Sequence, residues 1–121
     1  MNQERIYPSL DAVHAVLIAT YDATRFLKDP DLDGIVGRLR RAAAAANTLT
    51  LHACREMAAG RGLEELVHAR SLLREMGEVV ALARREGLDH AAASELLEYQ
   101  SHASLTLGAL AEELRAAALA A

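Results

Sequence analysis

Five consecutive alanines, Ala42 to Ala46, sit inside a stretch from Ile35 to Ala59 that contains one glycine and no proline. Alanine loses no side-chain entropy on entering a helix, so this run commits the chain to α structure. Within it Leu39, Ala42, Ala46, Leu49, Ala53 and Met57 recur at spacings of three and four, an apolar stripe along one helix face. Small side chains on such a stripe let neighbouring helices come close, which suits the middle of a bundle.

The rest of the chain supplies those neighbours. Leu10, Val13, Leu17, Thr20, Thr24 and Leu27 form a first stripe, widened by Val16, Ile18 and Tyr21. Pro8 or Ser9 opens this helix, because proline tolerates an early helical position. Lys28-Asp29-Pro30 closes it, since the residue before a proline is pushed out of the α region. Asp31 to Gly34 reads as an acidic turn, with Asp33 as the N-cap of the second helix. Gly60-Arg61-Gly62 offers a left-handed cap and a tight reversal into an antiparallel neighbour.

Leu66, Ala69, Leu73, Met76, Val80 and Ala83 give the third stripe, flanked by Leu72, Val79 and Leu82. Gly77 within it reads as a point of close contact. Gly87 ends that helix and Asp89 caps the next, whose seam is Leu96, Gln100, Ala103, Leu107, Leu110 and Leu114. Helices are expected over about residues 9–28, 34–59, 63–86 and 90–118. The fold class is therefore all-α, an antiparallel up-down-up-down four-helix bundle in a single domain. Only 3% of residues are aromatic and tryptophan is absent, so the core must be leucine, alanine, valine and methionine.

Net charge is −4, so the whole molecule carries no excess positive charge. No apolar run is long enough to span a membrane, and Met1 to Arg5 lacks the layout of a secretory signal. Cys54 is the lone cysteine, so no intrachain disulfide can form. A cytoplasmic location is expected.

The charge is unevenly spread. Residues 35–62 hold five arginines against one glutamate, whereas residues 89–121 hold one arginine against five acids. Arg38, Arg41, Thr48, His52 and Arg55 lie to one side of the second stripe as a basic ridge, and Arg38, Arg40, Arg41 and Arg55 are the candidate binding residues. Guanidinium groups suit phosphate because their planar fork engages two oxygens at once. They suit carboxylates of neighbouring helices or subunits equally well. Both readings stay open: a ridge that contacts RNA, DNA or a protein, or internal ion pairing.

Other chemistry is thinly supported. Glu65-x-x-His68 and His52-x-x-x-Glu56 have metal-ligand spacings, as does Glu98-x-x-x-His102, but Glu65 and His68 flank their seam. A metal- or ligand-binding bundle using His52, Glu56, Glu65 and His68 is the alternative. Cys54 reads as a small buried thiol, and no catalytic or nucleotide-binding motif is present. No enzyme activity and no cofactor are expected. Leu51, Leu72, Leu82, Leu97 and Leu105 fall outside the narrow seams, either broadening the core or forming a face that self-associates.

Three blocks resemble a known family. They are Tyr21-Asp22-Ala23-Thr24, then Gly34-Ile35-Val36-Gly37-Arg38-Leu39-Arg40-Arg41-Ala42-Ala43, then Ala69-Arg70-Ser71-Leu72-Leu73-Arg74-Glu75-Met76, extended by Leu82-Ala83 and Gly87. These are similar to motifs of the bacterial four-helix-bundle proteins encoded in intervening sequences of 23S ribosomal RNA genes. The accessory variability protein of diversity-generating retroelements is a related branch. The likeness covers roughly residues 10–88 without gaps. Arg38 stands where the family has glutamine, and Leu49-Thr50-Leu51-His52-Ala53 replaces its Asn-Ile-Ala-Glu-Gly segment. The resemblance implies a non-enzymatic homo-oligomer, a pentamer, and in the retroelement branch an accessory role beside a reverse transcriptase and its RNA.

Overall fold

The structure, a computed structural model, describes residues 3–25, 27 and 33–120. Four helices follow one another: α1 (Gln3–Thr24), α2 (Asp33–Glu56), α3 (Leu63–Arg85) and α4 (His90–Ala120). A single 3-10 turn, Met57–Ala59, prolongs α2. Each helix packs against the next in the chain, and α4 packs back against α1. Arg5 of α1 meets Glu113 of α4, and Arg38 of α2 meets Glu75 of α3, so neighbours run in opposite directions. The protein is an all-α antiparallel four-helix bundle.

The α3 seam is buried at all six expected positions, Leu66, Ala69, Leu73, Met76, Val80 and Ala83. On α2 the buried line is Leu39, Ala43, Ala46, Thr50, Ala53 and Met57, so Ala43 and Thr50 replace Ala42 and Leu49, which flank the core. In an alanine-rich helix adjacent positions differ too little in hydrophobicity to define the inward direction. On α1 the buried line is Ser9, Val13, Val16, Thr20 and Thr24, while Ile18 and Tyr21 face solvent. The buried hydroxyls are satisfied within their own helices. Ser9, Thr20, Thr24 and Thr50 donate to the carbonyls of Arg5, Val16, Thr20 and Ala46 at 2.7–2.8 Å.

Two expected ends are corrected. α1 begins at Gln3, and Pro8 lies inside it. Pro8 forfeits one hydrogen bond early in the helix, while Ile6 packs against the core and Arg5 pairs with Glu113 at 3.0 Å. α1 also ends at Thr24, where the Thr24 carbonyl accepts from Leu27 N–H at 3.4 Å in a tightened turn. The expected stop at Lys28-Asp29-Pro30 lies outside the described residues, as does the side chain of Asp33, which begins α2.

The remaining turns use their glycines as expected. Gly60 (φ +73°) caps the 3-10 turn and donates to the Met57 carbonyl at 2.9 Å. Gly62 (φ +109°) turns the chain into α3 directly against the backbone of Ala53. After α3, Leu88 N–H reaches back to the Ala83 carbonyl at 2.8 Å, and its side chain is buried. This is a left-handed helix stop centred on Gly87 (φ +119°). The Asp89 carboxylate then accepts from Ala92 N–H at 3.1 Å and caps α4. Among the described residues no helix is long and apolar enough to cross a membrane.

Candidate nucleic-acid interface

The face of α2 turned away from the core is one unbroken exposed stripe: Arg38, Arg41, Ala45, Thr48, His52 and Arg55. Its spacing of three and four residues follows the helical repeat, so burial of the opposite seam holds this line in solvent. Arg41 and Arg55 are fourteen residues apart, about 21 Å along the axis at 1.5 Å per residue. Between them the stripe is Ala45, Thr48 and His52, with no acidic residue on it.

The arginines differ in how they are held. Arg38 reaches Glu75 of α3 at 3.8 Å, with both side chains about half exposed (50% and 52%). A pair that long and that wet is worth roughly 0–1 kcal/mol and leaves the guanidinium open to a stronger anion. Arg41 has no ion pair among the described residues; its guanidinium folds back over the bare backbone of Gly37. Arg38 and Arg41 flank a shallow recess of about 300 Å³ between α2 and α3, with Leu72 and Glu75 on its far side. Arg55 is exposed and likewise unpaired among the described residues.

Arg40 stands apart from the ridge. It points to α1, where its Nε donates to Thr24 Oγ1 at 3.0 Å and its guanidinium lies 4.6 Å from the centre of the Tyr21 ring. Two blocks distant in sequence, Tyr21 to Thr24 and Arg40-Arg41, therefore meet across the α1–α2 contact, and Arg40 serves to join the helices. It is half-buried and less available to an outside partner than Arg38, Arg41 and Arg55.

The possible metal ligands do not gather. His52 Nε2 lies 3.8 Å from Glu65 Oε1, but Glu56 is engaged by Arg61 at 2.8 Å and His68 points into solvent. Among the described residues no three of histidine, cysteine, aspartate or glutamate converge. Cys54 is half-buried, and burial pushes its thiol above the usual cysteine range, away from the reactive thiolate.

Comparison with protein families, characterised proteins and solved structures finds no match to this chain. The site must therefore be judged on its own geometry. Two arrangements escaped the sequence reading. One is the seat that Gly37 gives Arg41, for which the Gly-x-x-x-Arg spacing is the available signal. The other is Arg70 of α3, whose guanidinium lies on Gly108 of α4 and whose buried Nε has no hydrogen-bond partner. A glycine in mid-helix is a visible flag for such close approach, but its opposing residue is set by how α3 and α4 meet.

Proposed function

We propose that this protein is a non-enzymatic helical scaffold that contacts RNA or DNA, or an enzyme that works on them, through the α2 ridge. The observation that carries the reading is that Arg41 and Arg55 stand exposed and unpaired, among the described residues, on a helix with four arginines against Asp33 and Glu56. A protein of net charge −4 that concentrates its positive charge on one solvent-facing line has a local field its overall charge conceals. Three arginines spread over about 25 Å of helix could contact phosphates at two places along one backbone. Aromatic side chains that could stack on bases are absent from the ridge, so recognition would follow the backbone and not the sequence.

The resemblance to intervening-sequence and retroelement accessory proteins supports the same reading, and adds assembly into a homo-oligomer, a pentamer. Leu51, 40% exposed beside Thr48 and Arg55, is an apolar residue available for such a contact. Repetition of the ridge around a ring would multiply a modest affinity per subunit.

The deciding experiment is retention of labelled RNA and DNA by the wild type and by the Arg38→Glu/Arg41→Glu/Arg55→Glu variant, with helicity followed by circular dichroism. The reading requires retention that falls steeply with salt and disappears in the variant at unchanged helicity. Equal retention by both proteins would refute it. Light scattering on the wild type tests the assembly.

A further inference from the structure

A second surface, on the opposite side of the bundle from the α2–α3 recess, runs between α1 and α4. Near the α1 C-terminus the groove holds about 380 Å³, with a floor of Ala15, Ala19 and Ala23 and walls of Ile18 and Tyr99. It continues along α4 past Glu95, Glu98 and His102, then to a second recess of about 380 Å³ against Pro8 and Leu105. The three recesses follow one another along α4, sharing Tyr99 and then His102, as a trough whose middle stretch is lined by α4 alone. It extends from Ala92 to Ala109, seventeen residues or about 26 Å of helix.

The trough is apolar where a folded monomer has no use for it. Ile18, Tyr99 and Leu105 are 51%, 38% and 69% exposed. Its alanine floor allows a third helix to approach closely. Its rim on α4 is acidic: Glu95 and Glu98 are exposed and lack an ion pair among the described residues, while Asp22 opposite on α1 is held by Arg25 at 3.0 Å. Arg5, at the far end, is engaged by Glu113.

We propose that this trough receives a basic amphipathic helix of another protein, about five turns long. Its leucine-sized side chains fill the recesses at Ile18/Tyr99 and at Leu105, and its lysines or arginines meet Glu95 and Glu98. Charge decides against the same face of a second copy, which would set acid against acid. The proposal does not depend on the function of the ridge, and together the two surfaces would let one bundle hold a polyanion and a basic protein on opposite sides.

The test uses the full chain and a fluorescein-labelled eighteen-residue peptide with leucines at helical spacing and lysines elsewhere, followed by anisotropy. Binding should weaken at least tenfold in Glu95→Lys/Glu98→Lys and at least tenfold in Ile18→Asp. It should stay within twofold of wild type in Glu78→Lys, which removes an exposed charge from α3 away from the trough. These are surface positions, and circular dichroism checks that each variant keeps its helicity. Failure of the peptide to bind the wild type, or equal binding to all variants, overturns the proposal. So does a drop in particle mass on Ile18→Asp, which would assign the trough to a second copy. Loss of nucleic-acid retention in the arginine variant bears on none of these outcomes.

Discussion

Arg40 Nε donates to Thr24 Oγ1 at 3.0 Å, and the same hydroxyl donates onward to the Thr20 carbonyl at 2.8 Å. Thr24 is thus both acceptor and donor at a buried point of the α1–α2 contact, with the Tyr21 ring against the guanidinium at 4.6 Å. A charged donor to a neutral acceptor gains strength where solvent is scarce, and the ring adds a cation–π contribution.

Thr24→Val keeps the shape of the side chain and removes both hydrogen bonds, leaving the Arg40 Nε unpartnered in a half-buried place. It should cost about 1–3 kcal/mol in urea unfolding. Arg40→Ala should cost a similar amount. A double-mutant cycle should show the two losses overlapping by about 1 kcal/mol or more, since both substitutions break one contact. Additive losses would mean that the contact contributes nothing.

Arg40 and Arg41, adjacent in sequence, should separate cleanly by phenotype. Arg40→Gln should lower stability and leave nucleic-acid retention within about twofold, because Arg40 faces α1. Arg41→Glu should leave the unfolding midpoint within the ±0.5 kcal/mol expected of a surface change and reduce retention severalfold. Filter binding read beside urea unfolding on both variants tests the pair.

Glycine replacements should move stability in opposite directions. Gly62 holds φ +109°, and an added Cβ would lie 2.7 Å from the Ala53 carbonyl oxygen, so Gly62→Ala should cost at least about 2 kcal/mol. Gly77 is helical and faces the Gln100 side chain, where a Cβ would meet its nearest atom at 3.5 Å, an ordinary contact. The close approach expected at Gly77 from the sequence is therefore looser than the one at Gly62. Gly77→Ala should stabilise the bundle by about 0.5–1 kcal/mol. Thermal unfolding reads both signs.

Gly108 is a third case, because the atoms that a Cβ would strike belong to the mobile end of Arg70, with Cζ at 2.9 Å. Arg70 can swing outward, and its unpartnered Nε would then reach water. Gly108→Ala should therefore be neutral or stabilising, by up to about 1 kcal/mol. A loss above 1 kcal/mol would show that Arg70 is held in place by its surroundings.

Cys54 should react slowly with an alkylating reagent near neutral pH. Burial raises its pKa, so the thiolate fraction is lower than that of an exposed cysteine, and the side chain is also partly shielded. Alkylation should accelerate at least severalfold on unfolding in urea. Its rate in the folded protein should keep rising with pH beyond the point where a free thiol levels off.

The fold was legible because helix-forming residues, apolar spacing and turn glycines all agree. The α3 seam was readable position by position, since leucine, methionine and valine stand out from the charged residues between them. Gly60, Gly87 and Asp89 were readable for a local reason: each acts on its own helix end. The α2 seam was less so, because Ala42 and Ala43 are alike in hydrophobicity and only the packing partners choose between them. The ridge of Arg38, Arg41 and Arg55 was visible as helical spacing. That Arg40 leaves it for Thr24 was not, because the pair is sixteen residues apart on two different helices.

Four helices, their order and the uneven distribution of charge follow from the amino-acid sequence alone, because propensity, periodicity and capping act over a few residues. Which arginine is spent on holding helices together and which is left in solvent was decided only by tertiary structure. So was the trough between α1 and α4. Rotation of a helix about its axis by one residue, about 100°, exchanges a buried side chain for an exposed one, and that rotation is set by the other three helices.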